Sequence, residues 1–427
     1  MNILVIGGGG REHALVWKIS RSEKCDKIYT SPGNAGTASI STNVVLKDFK
    51  EIKNFCLKND IELVVVGPEQ PLVDGIVDYF HSDEELKQIK ILGPDKRAAQ
   101  LEGSKDFANE FMRKYNVPTA DFKTFTSQEY QDALDYLDTK KAPYVLKVDG
   151  LAAGKGVIIE ENIEKAKRAI HEILIDKKFG EAGSKLVIED FLSGIELSVF
   201  VLTDGKSYVV LPEAKDYKRI GEGDTGLNTG GMGAISPVLF ADEIFLNKVT
   251  EKIIKPTIKG IEEEKFNYKG FIFFGLINVD GEPYVIEYNC RLGDPETEVV
   301  LPRIKSDILE LFEACFNGTL SNYKIDIDER CASTVMLVSG GYPEHYQKGK
   351  KIRNIDLLED VLPFHAGTSF DDKGIVITSG GRVIAITALA SNINDALNKA
   401  NTGAETIDFD KKYFRSDIGN DLLNLSF

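Results

Sequence analysis

Two apolar runs joined by a tight polar turn constrain this chain more than any other stretch. Residues 270–279 (GFIFFGLINV) and 284–289 (YVIEYN) are rich in β-branched and aromatic side chains, and Asp280-Gly281-Glu282-Pro283 stands between them. An Asp-Gly turn between such runs reads as a hairpin, and no helical period survives it. On the second run Glu287 and Asn289 are two residues apart, so on a strand they share a face. A carboxylate and an amide oxygen aimed into one volume suit a hard cation such as Mg²⁺. Alone, Glu-x-Asn fits an ordinary solvated strand face as readily, because the pattern is short and common. Arg291, followed by Leu292-Gly293-Asp294-Pro295-Glu296, strengthens the metal reading. A guanidinium beside a divalent cation clamps phosphate oxygens, and Gly-Asp-Pro is turn chemistry that would hold it still.

The chain has 427 residues, which at about 150 residues per domain suggests roughly three domains. Its 42% hydrophobic and 28% charged content is that of a folded protein. A net charge of −15 opposes nucleic-acid or anionic-membrane binding, so neither partner is expected. Five scattered cysteines suit reduced thiols in the cytosol rather than a disulfide framework. No uncharged run reaches about 18 residues, so a cytoplasmic monomer is the expectation.

Residues 3–6, 27–30, 63–66 and 89–92 are short apolar runs separated by helical stretches, the rhythm of a parallel α/β sheet. Each ends in backbone-permissive residues, and ligands of such sheets sit outside those ends. Gly7-Gly8-Gly9-Gly10 opens a helix with Arg11, so its N–H groups and the cation could hold a phosphate. It is no dinucleotide fingerprint, because the third glycine of G-x-G-x-x-G would fall on Glu12 or His13. His13 reads as a helix-start residue, with nothing in sequence to partner it as an acid or base.

From about Asp95, helices are expected over residues 96–101 and 104–115, broken at Glu102-Gly103 and stopped by Pro118. Residues 144–149 form a strand carrying Lys147, followed by the glycine flap Ala152-Ala153-Gly154-Lys155-Gly156. A strand lysine and a glycine flap suit a triphosphate, although a tight hairpin would serve the same residues. The flap is not a Walker A loop, since Gly150 and Gly154 are one residue too close and Gly156 replaces the hydroxyl. Residues 185–192 and 195–201 are strands around Ser193-Gly194, whose main chain could face an adenine. The polar, glycine-dense stretch 221–233 reads as a lid or as disorder. Helix is expected over residues 242–264, interrupted at Pro256. From about Asp326 the chain reads as having its own core, with strands at 332–339, 374–377 and 382–390 and a helix over 392–401. His345 and His365 read as loop residues rather than catalysts.

Several blocks are long and jointly specific. They are Asn34-Ala35-Gly36-Thr37, Gly67-Pro68-Glu69-Gln70-Pro71-Leu72, Leu101-Glu102-Gly103-Ser104-Lys105, the flap, Asn228-Thr229-Gly230-Gly231-Met232-Gly233, and Arg291 to Glu296. Together with Lys105, Lys147, Glu189 and the Glu287/Asn289 pair, they resemble the ATP-grasp superfamily, and most closely its phosphoribosylamine-glycine ligase family, also called glycinamide ribonucleotide synthetase. The resemblance implies an N-terminal parallel α/β domain over 1–100. It implies a central ATP-grasp fold over 101–325, with a small lobe at about 120–192, and a small C-terminal α+β domain over 326–427. It also implies that ATP, glycine and 5-phosphoribosylamine give glycinamide ribonucleotide, ADP and phosphate in purine synthesis.

By the same resemblance, ATP meets Lys105, Lys147, Gly154, Lys155 and Gly156, with Glu189, Asp190, Phe191 and Leu192 around adenine and Glu196 at the ribose. Glu287 and Asn289 hold Mg²⁺ or Mn²⁺. Arg291 and Asp294 are placed for the phosphate and the glycine ammonium. The sugar phosphate meets Gly9, Gly10, Asn34, Ala35, Gly36 and Thr37, with Glu69 and Asp216 near the amine or ribose hydroxyls. Gly293 and Pro295 belong to the substrate loop, and Asp216, Arg291 and Asp294 are the expected catalytic group.

The family pattern has glutamine and histidine where this chain has Lys215 and Tyr217, a proline at Leu227 and often a methionine at Asn278. The extra cation at 215 bears on the substrate contacts of that loop. The alternatives weighed against the ligase are an ATP-grasp carboxylase or formate-using enzyme, a dinucleotide oxidoreductase and a non-catalytic nucleotide sensor. The first would lack Asn34 to Thr37, the second fails at its third glycine, and a sensor has no use for a metal pair.

Overall fold

The computed structural model describes residues 1–152 and 156–423. Five strands open the chain: β1 (Asn2–Gly7), β2 (Lys27–Pro32), β3 (Thr42–Asn43), β4 (Leu63–Val66) and β5 (Lys90–Pro94). They pair in parallel in the order β3-β2-β1-β4-β5. β1 and β4 are buried almost throughout, as continuous apolar runs in a parallel sheet demand. The chain leaves β1 toward β2 on one side and comes back as β4 on the other. The loops after β1 and β4 therefore part at the switch point, where such sheets open a crevice.

A second, antiparallel sheet is built from β6 (Phe122–Thr126), β7 (Tyr144–Val148), β8 (Val157–Glu160) and β9 (Lys185–Glu189), in the order β6-β9-β7-β8. The helices Tyr130–Asp138 and Ile163–Leu174 complete it, and it buries a separate core around Phe125, Leu146, Ile170 and Ile188. Ahead of it, the break expected at Glu102-Gly103 falls at Ser104 instead: residues 96–99, expected as helix, are turns, Glu102 and Gly103 close the short helix Gln100–Gly103, and the next helix is Lys105–Lys114. The Ser104 hydroxyl accepts the Phe107 N–H at 3.1 Å and caps it there.

β10 (Ile195–Thr203) and β11 (Tyr208–Val210) are followed by the short strands β12 (Lys215–Asp216), β13 (Arg219–Gly221), β14 (Thr225–Asn228) and β15 (Gly233–Ser236). The stretch read as a lid or as disorder is thus an ordered hairpin, β13 against β14, with β15 after it. The break expected at Pro256 is instead one wide turn, Thr250–Ile254, leading into the helix Lys255–Glu263. Pro256 lies in that helix's first turn, where a missing N–H costs nothing.

β16 (Tyr268–Val279) and β17 (Glu282–Asn289) form the expected hairpin. Asp280 and Gly281 turn it with φ of 50° and 84°, the positive pair that an Asp-Gly two-residue turn supplies. β16 also pairs with β10 along its length and with β5 at its start. One nine-stranded sheet therefore runs from the N-terminal strands to the hairpin.

The remaining strands are β18 (Cys331–Val338), β19 (Leu362–His365), β20 (Thr368–Phe370), β21 (Val376–Thr378) and β22 (Arg382–Ala390), with the helix Ile393–Thr406 after them. The expectation of a separate C-terminal core is corrected. The sheet here runs β12-β15-β18-β22-β19, taking two strands from before residue 326. Its apolar side chains join those of the first sheet in one continuous core. Phe364 makes part of the join, its ring centre 5.7 Å from those of Trp17 and His13. No helix among the described residues is long and apolar enough to cross a membrane.

Candidate active site

The β16–β17 hairpin is irregular at one point, and the site is built on it. Gly275 faces Glu287 while Leu276 faces Val285, so Ile286 is an extra residue bulged out of the ladder. Such bulges re-aim neighbouring side chains. The Ile286 carbonyl, freed from the ladder, accepts a hydrogen bond from Lys147 Nζ at 3.1 Å. Lys147, on β7, also pairs with Glu189 of β9 at 2.6 Å, both side chains being 6% exposed. Asn109 Nδ2 donates to the other Glu189 oxygen at 2.9 Å. This network ties the small sheet to β17.

Between them lies a cleft of about 820 Å³, lined among others by Glu69, Glu102, Lys105, Lys147, Gly156, Glu189, Glu287, Asn289 and Arg291. Lys105 makes no ion pair among the described residues. Burial depresses its ammonium pKa, Glu287 opposes that shift and Lys147 adds to it. It is a cation awaiting an anion. Glu287 and Asn289 both face this cleft, and among the described residues neither side chain has a hydrogen-bond partner. Among the described residues no group of three or more His, Cys, Asp or Glu gathers there to hold a metal by itself. Mg²⁺ is commonly held by one or two carboxylates together with substrate phosphates, so this donor set fits a cation delivered with a nucleotide.

A shallower recess shares Ile286 and Glu287 with the cleft and adds Glu196, Ser198, Asp216 and Lys218. Lys218 Nζ donates to Glu196 Oε2 at 2.7 Å. Burial pushes the Asp216 carboxyl up, with Lys218 opposing. Behind Ser198, Glu296 Oε1 accepts its hydroxyl at 3.0 Å. Burial, with the charge of Asp216 adding to it, pushes Glu296 up to about 7.

Arg291 is committed to the protein. It pairs with Glu102 at 2.7 Å and Glu69 at 3.4 Å, while Glu102 Oε2 accepts the Cys290 N–H at 2.8 Å. Asp294 pairs with Arg382 of β22 at 2.9 Å. The same guanidinium donates to the carbonyls of Gly230 at 2.6 Å and Asp294 at 2.8 Å. It thereby pins the 228–233 and 291–296 loops together, and Pro295 packs against Gly231, where a Cβ would lie 2.3 Å from its Cδ. A Cβ on Gly293 would lie 2.4 Å from Glu296 Oε2, so that loop also closes on a carboxylate.

At the crevice, the glycine run is less open than its N–H groups suggested. Gly9 N donates to Glu12 Oε2 at 2.6 Å, and Arg11 is held by Glu12 at 2.7 Å and the Leu292 carbonyl at 3.1 Å. Gly10 leaves room for buried Glu298, whose Oε1 would lie 2.2 Å from a Cβ there. The Asn34 side chain builds the 34–37 turn. Its amide nitrogen donates to Gly8, Gly9 and His365 carbonyls, and its oxygen accepts the Gly36 and Thr37 N–H groups at 2.9 and 3.0 Å. Ala35 N bonds the Thr368 carbonyl at 3.4 Å. Gly36 lies against His13, whose Nδ1 accepts the His365 N–H at 2.7 Å.

The sequence-expected residues thus divide. Lys105, Lys147, Gly156, Glu189, Glu287, Asn289, Glu69 and Arg291 share the cleft, with Glu196 and Asp216 in the adjoining recess. Asp190, Phe191 and Leu192 do not line it, and the Asp190 N–H bonds the Asp121 carbonyl at 2.9 Å. Gly154 and Lys155 lie outside the described residues. Sequence reading missed Glu102, Asn109 and Lys218, although Glu102 stands in a singled-out block and Lys218 two residues after Asp216. Arg382 carried no local signal.

Family models for phosphoribosylglycinamide synthetase match residues 1–102 (N domain), 103–297 (ATP-grasp domain) and 332–421 (C domain). A phosphoribosylamine-glycine ligase from Neisseria meningitidis serogroup B is 44% identical, over 99% of this chain and 100% of its own. The bifunctional purine biosynthetic protein PUR2,5 of Pichia angusta is 45% identical over 98% of this chain, which spans about half (54%) of that longer protein. The crystal structure of phosphoribosylamine-glycine ligase from Thermotoga maritima superposes with a TM-score of 0.85 at 34% identity, covering 98% of this chain and 100% of that one. The hairpin bulge, the two lysines and the cleft with its recess are therefore features of an ATP-grasp protein, and the chain belongs to the phosphoribosylglycinamide synthetase family.

Proposed function

We propose that this chain is an ATP-dependent ligase that joins glycine to 5-phosphoribosylamine, giving glycinamide ribonucleotide, ADP and phosphate for purine synthesis. The observation that carries the reading is Glu287, shared between a cleft holding Lys105 and Lys147 and a recess holding Asp216. A phosphoryl group on one side of β17 is thereby within reach of a carboxylate and an amine on the other.

A carboxylate is a poor acyl donor because oxide would have to leave. Its oxygen attacks the γ-phosphorus, the bond to the bridging oxygen of ADP breaks, and glycyl phosphate forms. The phosphoribosylamine nitrogen then attacks the carbonyl, the amide bond forms and phosphate leaves. Lys105 and Lys147 bind the phosphates and offset their charge in transfer. A divalent cation, Mg²⁺ or Mn²⁺, held by Glu287 and Asn289, would neutralise the phosphate oxygens when bound. Asp216 accepts the amine's proton, a role its raised carboxyl supports. The nucleotide base lies toward Glu189, and meeting Asp190, Phe191 and Leu192 as well would require it to extend past the lining of the cleft. Of the flap residues assigned to ATP, Gly156 lines the cleft, while Gly154 and Lys155 lie outside the described residues. The unbonded oxygen of Glu196 takes the ribose.

The sugar phosphate enters by Gly9, Gly10 and the Asn34 to Thr37 turn, where it would have to displace Glu12 from the Gly9 N–H and Asn34 Oδ1 from the Gly36 and Thr37 N–H groups. Glu69 lies beside the amine. Arg291, Gly293, Asp294 and Pro295 shape the glycine subsite rather than offering free charges, since Arg291 and Asp294 are already paired. We divide the labour among residues 1–100, 101–325 with the lobe at 120–192, and 326–427. We place the enzyme in the cytoplasm as a monomer without nucleic-acid partners, a reading that the net charge of −15 supports. Light scattering tests the monomer. The activity is tested by phosphate release requiring both glycine and fresh phosphoribosylamine, with the product identified by mass. ATP hydrolysis indifferent to glycine would overturn the reading.

A further inference from the structure

The strand that brings Asp216 to the recess is held from behind by the end of the chain. On an extended strand alternate side chains face opposite ways. Asp216 and Lys218 face the recess with Glu196 and Glu287. Lys215 and Tyr217 face the helix Asn420–Leu423. Lys215 is 7% exposed and Tyr217 2%. One carboxylate holds both. Asp421 Oδ1 accepts the Tyr217 hydroxyl at 2.5 Å, and Asp421 Oδ2 lies 3.0 Å from Lys215 Nζ. That ammonium also sits 3.8 Å from the centre of the Tyr217 ring, with Arg415 at 5.5 Å from it.

The neighbouring residues grip the hairpin that continues from Lys218. Arg415 donates to the Arg219 carbonyl at 3.1 Å and to Asp224 at 2.6 Å. Asp417 accepts the Gly223 N–H at 2.8 Å, and the Ser416 hydroxyl donates to Glu222 at 2.6 Å. Removing Asp421 would leave a buried ammonium without its counter-ion and a buried phenol without its acceptor. Asp421 is itself 44% exposed, so water would replace its carboxylate from one side only, and the ammonium and hydroxyl would be drawn toward that side with the strand that carries them.

We propose that Asp421 is a positioning residue, which sets the depth of Asp216 and Lys218 in the recess by clamping Lys215 and Tyr217 on the opposite face of the strand. The proposal rests on the ligase reading above, in which that recess receives the acyl group and the amine. Lys105 and Lys147 of the nucleotide cleft belong to other elements, and the one nucleotide contact that Lys218 touches is Glu196, so binding of ATP should change less than use of the amine.

The test compares Asp421→Asn, Lys215→Met and their double variant as full-length proteins, at a temperature where circular dichroism finds all of them folded. The expected result is a loss of about tenfold in kcat/KM for phosphoribosylamine in each single variant, with KM for ATP held within about twofold. The double variant should lose no more than the worse single one, as partners in one contact do. A purely structural role would lower the melting temperature and leave kcat/KM untouched, which would overturn the proposal, as would losses that multiply independently. Should Asp421→Asn fail to fold, Tyr217→Phe keeps the ring and the ion pair and should still lower kcat/KM by about threefold, and an unchanged value sinks the idea. A wild-type protein that makes no glycinamide ribonucleotide would instead defeat the ligase reading itself.

Discussion

Lys147 reaches from one sheet to the bulge of another, its ammonium donating to the Ile286 carbonyl at 3.1 Å while it pairs with Glu189 at 2.6 Å. The pair is buried on both sides, so it differs from the many surface ion pairs of the chain, which contribute little.

Lys147→Met should destabilise the protein by about 3 kcal/mol, because Glu189 would keep a buried charge with only Asn109 to bond it. Adding Glu189→Leu should restore most of the melting temperature and none of the ATP turnover. Calorimetry and phosphate release, run on the same samples, separate these two contributions. Recovery of turnover in the double variant would show that the lysine serves only to neutralise its partner.

Glu287→Ala should cut turnover by about a hundredfold to a thousandfold with the melting temperature unchanged, since the carboxylate bonds nothing among the described residues. Titration of Mg²⁺ into the variant with ATP should show weakened dependence on the metal. Near-normal turnover would remove this residue from the metal site.

Glu102 holds Arg291 at 2.7 Å and the Cys290 N–H at 2.8 Å. Glu102→Gln keeps the shape and the acceptor but loses the charge, so the guanidinium loses its clamp on one side. The expected outcome is a fall in kcat of about tenfold, measured at saturating ATP. Glu102→Ala should also lower the melting temperature, because the Cys290 N–H is then buried without an acceptor.

His13 and His365 join the first helix to β19, and burial pushes their pKa values down to about 3 and about 4, the nearby His365 adding to the effect on His13. Both are neutral in the folded protein and bind protons more readily when unfolded. Stability is therefore fully present above the ordinary value of 6.5 and is lost as pH falls toward 4. Urea denaturation from pH 7 to pH 4.5 should show that slope, and His13→Gln should flatten it. A variant with the wild-type slope would place the acid sensitivity elsewhere.

Local chemistry was legible where short-range rules decide it. The Asp280-Gly281 turn, the alternation that pairs Glu287 with Asn289, and the apolar runs of β1, β2, β4 and β5 all follow from residues close in sequence. That the glycine-dense stretch 221–233 is ordered was not legible because its partners are distant: Arg415, Ser416 and Asp417 supply the hydrogen bonds that its own composition lacks. Pro256 misled for a different reason, since one wide turn absorbs its missing donor.

Residue types and spacings by themselves determined that this chain has a parallel α/β beginning, a metal-capable hairpin and lysines suited to phosphate. Each of these depends on dihedral preference, strand period or ligand chemistry within a few residues. Only the tertiary structure decided which charges stay free. Lys105, Glu287 and Asn289 face the cleft unpaired among the described residues, whereas Arg11, Arg291 and Asp294 are already held by Glu12, Glu102 and Arg382. An ion pair is a matter of a few ångströms between elements far apart in the chain, and no local pattern records that distance.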